Sequence, residues 1–239
     1  MFLYNDAYAK MTLGPKHPWA LGRSAREVWR EIWNDIGPRA EAVLRTGQAT
    51  WDEGLLLFLE RMGFPEETYH TFSYSPVPDD QGAIGGMLCV VTEDTERTIG
   101  ERRLRTLREL SAWTNEETKS VEETCRITAR ILDANPYDVP FALLYLLDAS
   151  DRQAHLAAIA GIEREILASP SSVELGTAQD PWSFEVVRYT GAALERSDLP
   201  HAVGALQAGA WPEPIKQAVV LPVAKPGQAR PTGFLVVGV

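Results

Sequence analysis

The sequence predicts an α+β fold in two domains, each an antiparallel β-sheet flanked by helices, with one helix joining them. Three observations carry this. Short capped helical segments precede alternating strand-like runs, the patterning changes from period 2 to period 3.6 at Thr98, and it returns to strand at Phe141. A chain of 239 residues holds two cores at ordinary domain sizes of about 100 to 150 residues. The boundaries read as residues 1–97 for the first domain, 98–114 for the connector and 115–239 for the second.

Met1 to Tyr4 are apolar and strand-like. Asn5 caps a short helix through Asp6, Ala7, Tyr8 and Met11, which Gly14-Pro15 stops because proline disfavours helix in the residue before it. Ser24 caps a second helix in which Val28, Trp29, Ile32 and Trp33 recur at helical spacing, and Gly37-Pro38 punctuates it. A third helix runs from Arg39 to Arg45 and ends at Gly47. The chain then turns apolar from Ala49 to Glu60, and Met62-Gly63-Phe64-Pro65 supplies a turn. From Thr68 to Ser75, Tyr69, Thr71 and Ser73 alternate with His70, Phe72 and Tyr74, the pattern of a half-buried strand. Pro78 to Gly82 has turn chemistry and Ile84 to Thr92 reads as the next strand, giving three antiparallel strands after three helices.

Thr98 to Trp113 reads as a helix. Leu104, Leu107, Leu110 and Trp113 stand at steps of three, so the apolar stripe rotates around the helix instead of holding a heptad seam. Arg102, Arg103, Arg105 and Arg108 form a solvated face or a patch for an acidic partner or membrane surface. After Asn115, Val121, Cys125, Thr128, Ile131 and Leu132 share one helical face, with a stop at Asn135-Pro136. Phe141 to Leu147, a turn at Asp148 to Asp151, and Ala154 to Ala160 form a hairpin. Asp180-Pro181 starts a helix carrying Phe184, Val187 and Arg188. Ala218 to Val223 and Gly233 to Val239 are strands joined by Lys225-Pro226-Gly227-Gln228.

A net charge of −10 argues against nucleic acid as a partner, since phosphate-backbone binding depends on an excess of Lys and Arg. Cys89 and Cys125 lie far from any second ligand and read as reduced packing residues, with neither disulfide nor zinc spacing. No apolar run reaches the roughly 18 residues of a membrane span, and the N-terminus has no signal-peptide pattern. The expectation is a cytoplasmic chain without membrane insertion.

Four segments come in a fixed order: Leu21-Gly22-Arg23-Ser24 running into Glu27-Val28-Trp29; Arg45-Thr46-Gly47; Ser73-Tyr74-Ser75-Pro76 leading to Asp79-Asp80-Gln81-Gly82; and Val91 to Arg97 opening an Arg-rich helix. That order resembles a PAS sensory domain. The second half is similar to a GAF domain, through its opening helix, Phe141 to Asp148, and the pair Ala218–Val223 and Gly233–Val239. The wording of Glu27 to Trp33, Leu55 to Arg61 and Phe72 to Pro76 is similar to PAS-GAF regions of bacterial hybrid sensor histidine kinases. The resemblance implies a non-catalytic input module of a two-component system, a downstream histidine kinase domain as partner, and a homodimer. It also implies a further PAS strand ahead of Met1 and a GAF helix beyond Val239, so that the sequence reads as an excised fragment or a shortened gene product. The kinase is not in this sequence: none of His17, His70, His155 and His201 is followed by an acidic residue, and Asp-x-Gly-x-Gly is missing.

The familiar cofactors lose their defining residues, so none is expected. A flavin-bonding cysteine would follow Gly22-Arg23, where Ser24 and Ala25 stand; a haem ligand would lie on the third helix, where Arg39 to Thr46 has no histidine; and Cys125, on an apolar helix face, is a poor bilin nucleophile. The Asn-Lys and Asp-Glu signature of cyclic-nucleotide GAF domains is also absent. Trp29, Trp33, Trp51, His70, Phe72 and Tyr74 are the candidate lining of a small-molecule pocket, with plain core packing as the other reading of the same residues. His155 reads as a strand histidine or a ligand. The partner sensed is an unspecified small molecule or protein domain. A constitutive dimerisation scaffold, or the input module of a transcription regulator or nucleotide cyclase, are the alternatives.

Overall fold

The computed structural model of the chain describes residues 1–113, 120–224, 227 and 230–239. It divides into two units, Met1–Glu101 and Arg102–Val239. The expected start of the second domain at Asn115, and Lys225, Pro226 and Gln228 of the last turn, lie outside the described residues.

In the first unit, Asn5 caps α1 (Asp6–Tyr8) by accepting the Tyr8 N–H at 2.9 Å. The chain then widens into a π turn, Ala9–Leu13, and tightens into a 3₁₀ turn, Gly14–Lys16. Gly14-Pro15 therefore does not stop the helical path, because Pro15 sits in the first turn of the 3₁₀ segment, where its missing N–H has no bond to lose. Met1 to Tyr4 do not form a strand either. Phe2 exchanges backbone bonds with Arg23 and Gly22, at 2.7 and 2.9 Å, which spends its donor and acceptor on a local clip.

Ser24 caps α2 (Ala25–Val28) through the Glu27 N–H. The next helix, α3 (Trp33–Thr46), begins well before Arg39 and runs through Gly37-Pro38 without a break. Two features make that possible. Proline inside a helix clashes with the Cβ of the residue before it, and Gly37 has none. The same bare position takes the Trp33 indole, whose Cε2 would lie 2.6 Å from a Cβ at Gly37. α3 ends at Gly47, in the left-handed region at φ 71°.

Among the described residues the first unit holds one antiparallel sheet in the order β1 (Thr50–Leu59), β2 (Glu66–Pro78), β3 (Ile84–Glu93). Alternation along β2 sends Thr68, His70, Phe72 and Tyr74 inward. These meet Val28, Trp29, Ile32, Ile36, Ala40 and Val43 from α2, α3 and the turn between them, with Leu57 and Leu59 from β1. The helix α4 (Thr95–Trp113) follows β3, its ladder opened by Thr98 N–H on the Asp94 carbonyl rather than at Thr98 itself.

In the second unit, Ser120 caps α5 (Val121–Asp133), whose Cys125, Ala129 and Leu132 pack on Ala142, Leu144, Ala158 and Ala160. Val121, in the first turn, is exposed instead of lying on that apolar face. The strands are β4 (Ala142–Leu147), β5 (Gln153–Ala160), β6 (Ser172–Glu174), β7 (Leu194–Arg196), β8 (Ala218–Val223) and β9 (Gly233–Gly238). They pair antiparallel in the order β6-β5-β4-β9-β8-β7. On the face away from α5, Phe141, Leu143, Tyr145, Phe234 and Val236 meet Trp182 and Leu199, and Phe184 stacks on Phe234 at 4.4 Å. Leu199 belongs to α7 (Leu199–Val203) and Phe184 to α6 (Phe184–Thr190). α6 starts at Phe184, not at Pro181, because the Asp180 carboxylate accepts the Trp182 and Glu185 N–H groups from a turn upstream of the helix. Among the described residues no helix is long and apolar enough to cross a membrane.

Candidate functional site

The pairing of β2 with β3 sets His70 opposite Glu93, both directed to the inner side of the sheet. His70 is 2% exposed and its Nε2 has no hydrogen-bond partner among the described residues. Burial drives its pKa below the ordinary value; the Glu93 and Asp94 carboxylates pull upward and Arg61 pushes further down.

Arg61 stands near the start of the β1–β2 turn and grips three groups. Its guanidinium bonds Glu66 at 3.0 and 3.2 Å, Glu93 at 2.9 and 3.2 Å, and the Met11 carbonyl at 2.9 Å. Glu66 closes the turn by accepting the Arg61 and Met62 N–H groups as well. Burial would raise the Glu93 carboxyl, but the bonds from Arg61 and Thr95 outweigh it and hold the pKa low. Thr95 Oγ donates to Glu93 at 2.9 Å and accepts the Tyr69 N–H at 3.0 Å, while Thr71 donates to Asp94 at 2.6 Å. Glu93, Asp94 and Thr95 thus fasten the first turn of α4 to β2. The buried histidine sits one side chain away from that joint.

A second charge cluster holds the same helix within the second unit. Asp138 accepts Arg102 Nε at 2.8 Å and Arg103 Nε at 2.9 Å. Asn135, 4% exposed, donates to Asp138 at 3.0 Å and to Thr106 at 3.2 Å. The Arg102 guanidinium also lies over the Tyr137 ring, 5.1 Å from its centroid. Burial alone would raise the Asp138 carboxyl; the three donors overcome it and bring the pKa down to about 2. Leu110 packs on the α5 cluster, while Leu104 and Leu107 remain exposed.

The predicted pocket residues fall into two groups. Trp29, Phe72, Tyr74 and His70 come together on the inner face, where Trp29, Phe72 and Tyr74 pack in one apolar cluster with Trp33 at its margin. Trp51 does not join them and is 67% exposed. Its neighbour Asp52 turns inward to meet Arg39 Nε at 2.7 Å, and successive strand residues face opposite ways. Tyr8, which the sequence did not single out, reaches this cluster beside Trp29, and burial pushes its phenol far above the ordinary range. Burial raises the Cys89 thiol to about 11 and raises Cys125 as well, so neither is an activated nucleophile. Among the described residues no group of three or more His, Cys, Asp or Glu side chains could hold a metal ion.

No protein-family model matches the chain, and no curated protein matches it. Solved structures similar to it include the GAF domain of an Acinetobacter phosphoenolpyruvate-protein phosphotransferase, at 19% identity and TM-score 0.40 over 57% of this chain and 76% of that one. The GAF domain of the Coxiella burnetii phosphoenolpyruvate-protein phosphotransferase gives 15% identity and TM-score 0.42 over 58% and 77%. A phycocyanobilin-bound GAF domain of a cyanobacterial phytochrome gives 15% and 0.38 over 57% and 79%. These are weak likenesses over part of the chain.

Proposed function

We propose that the chain is a non-catalytic, cytoplasmic input module of the PAS-GAF kind, serving a two-component histidine kinase and relaying the state of its first unit along α4. The observation that carries this is the placement of the two charge clusters on one helix. The first turn of α4 is tied to β2 through Glu93, Asp94 and Thr95, and its stretch from Arg102 to Thr106 is tied to Asn135 and Asp138. A change at His70 or Arg61 acts on the first cluster directly. A ligand or partner must bind two arrangements of that joint with different affinity, since equal binding moves nothing.

Hydrogen exchange on Glu93→Gln tests the relay. If α4 transmits, amides from Arg102 onward and around Asn135 change their exchange together with those of β2 and β3. A change confined to residues before Arg102 refutes it.

One observation favours a constitutive dimerisation scaffold as the second reading. The outer edge of β3 has no ladder partner among the described residues and no charged side chain between Ile84 and Thr92, and it exposes Leu88 and Val90. Such an edge invites pairing with another chain, and a second copy is the occupant this reading names. A concentration-independent dimer in light scattering with no thermal response to any ligand supports the scaffold; a ligand-dependent melting temperature supports the sensor.

A further inference from the structure

We infer that the second unit carries a binding site for a small dianion, a phosphate monoester or a dicarboxylate, between α5 and the end of β5. A cavity of about 260 Å³ opens there. Arg126 and Arg130 reach it from α5, where a spacing of four residues stacks their side chains on one face, and Arg164 reaches it from the loop after β5. Like charges one turn apart weaken a helix slightly. Ala129 and Ala158, both buried, form the floor, and their small side chains leave the space open.

Salt bridging separates the chain's arginines into two groups, and the three at the cavity fall in the unbridged one together with Arg26, Arg30, Arg45, Arg105, Arg108 and Arg152 among the described residues. Arg23, Arg39, Arg61, Arg97, Arg102, Arg103, Arg188 and Arg196 each make a salt bridge, whereas none of Arg126, Arg130 and Arg164 does so among the described residues. Carboxylates are near: Glu122 stands one turn before Arg126 and acts on it electrostatically, and Glu163 and Glu165 flank Arg164 in sequence. Asp133 lines the cavity too, but its Oδ1 accepts the Gly161 N–H at 2.9 Å and so fixes the loop that carries Arg164. Among the residues that line the cavity itself, three guanidinium groups stand against one carboxylate, in a chain whose net charge is −10. Planar guanidinium forks match carboxylate and phosphate oxygens in pairs, and the cavity is smaller than the roughly 300 to 1,000 Å³ of drug-sized pockets. A compact doubly charged ligand meets both conditions. β6 pairs only with Gln153 to His155, so beside the cavity the far half of β5 also presents a strand edge without a ladder partner among the described residues.

The site is independent of the relay along α4 and stands or falls on its own test. The full chain is titrated calorimetrically with inorganic phosphate and with succinate at pH 8 and constant ionic strength, chloride serving as the monovalent control. Saturable binding of phosphate or succinate is expected, weakened at least tenfold by Arg130→Gln and by Arg164→Gln and unchanged by Arg105→Gln, an exposed arginine elsewhere. Phosphate alone assigns the ester class and succinate alone the dicarboxylate class. Both variants are at exposed positions, and circular dichroism confirms their folding. Failure of both anions to saturate, or binding by Arg130→Gln and Arg164→Gln equal to that of the unaltered chain, overturns the site.

Discussion

Replacing Asp138 with asparagine removes one charge from the second cluster and keeps its shape, and the cost can be worked in two ways. The first counts bonds. Arg102 is 16% exposed and Asp138 13%, so their charge-assisted bond is worth about 1.5 to 3 kcal/mol, whereas Arg103, 65% exposed, adds no more than about 0.5 kcal/mol. The second uses protonation. A carboxyl lowered from 3.8 to about 2 is worth about 2 kcal/mol at neutral pH, which screening by the water around Arg103 trims to between about 1 and 2 kcal/mol. The two agree on about 2 kcal/mol. Because the folded pKa is depressed, the stabilisation is fully present above the unfolded value of 3.8 and is lost as pH falls toward 2. Urea denaturation followed by hydrogen exchange of α5 and β4 amides reads this unit alone. Asp138→Asn is expected to lower its stability by about 1 to 2 kcal/mol at pH 7, and the gap from the unaltered chain narrows below pH 4. A gap under about 0.3 kcal/mol at pH 7, or one that does not narrow in acid, refutes the reasoning.

Three further outcomes follow from the same geometry. His70 is buried with a lowered pKa, so the unfolded chain binds more protons near and below pH 6.5; stability of the first unit therefore falls as pH drops through that value, and His70→Leu abolishes the fall in urea titrations at pH 7.5 and 5.5. An unchanged pH dependence in the variant counts against it. Gly37→Ala should stabilise an ordinary helix by about 1 kcal/mol, but the new Cβ would meet Trp33 at 2.6 Å, and a net loss of about 1 to 3 kcal/mol in the urea midpoint is expected. Trp182→Ala empties a fully buried site and strands the Ala168 carbonyl; a loss of about 3 to 5 kcal/mol should appear as lost amide protection in β4 and β9.

Local periodicity and capping were legible in the sequence. Asn5, Ser24 and Gly47 do what their residue types predict, and the alternation of His70, Phe72 and Tyr74 with Tyr69, Thr71 and Ser73 gives the buried face of β2 correctly. The misreadings have particular causes. Gly37-Pro38 reads as punctuation because proline disfavours a helix interior, whereas the missing Cβ at Gly37 relieves part of the clash and the Trp33 ring fills the gap. Met1 to Tyr4 looked like a strand because apolar residues carry no information about which backbone they will bond, and Arg23 and Gly22 took the bonds. Trp51 was assigned to the pocket by type. Its side is decided by Asp52, whose partner Arg39 lies on another element.

That last case points to a general feature of the candidate site. The groups that organise it are charged residues whose partners are far away in sequence: Arg61 with Glu93, and Arg102 and Arg103 with Asp138. No spacing rule connects such pairs, because they meet only after the β2–β3 register and the α5–β4 packing have formed. Hydrophobic periodicity therefore reveals the scaffold first. The residues Val91 to Arg97 stood out as a segment, yet their role became visible only when Tyr69, Thr71 and Arg61 were placed against them. A half-buried ion pair contributes modest stability, since desolvation offsets most of its attraction. Its stronger effect is on geometry, because a carboxylate gripped by a planar guanidinium tolerates few orientations. Two such grips on one helix fix its first turn and its middle to different structural neighbours. A change that loosens the first grip frees the turn it holds.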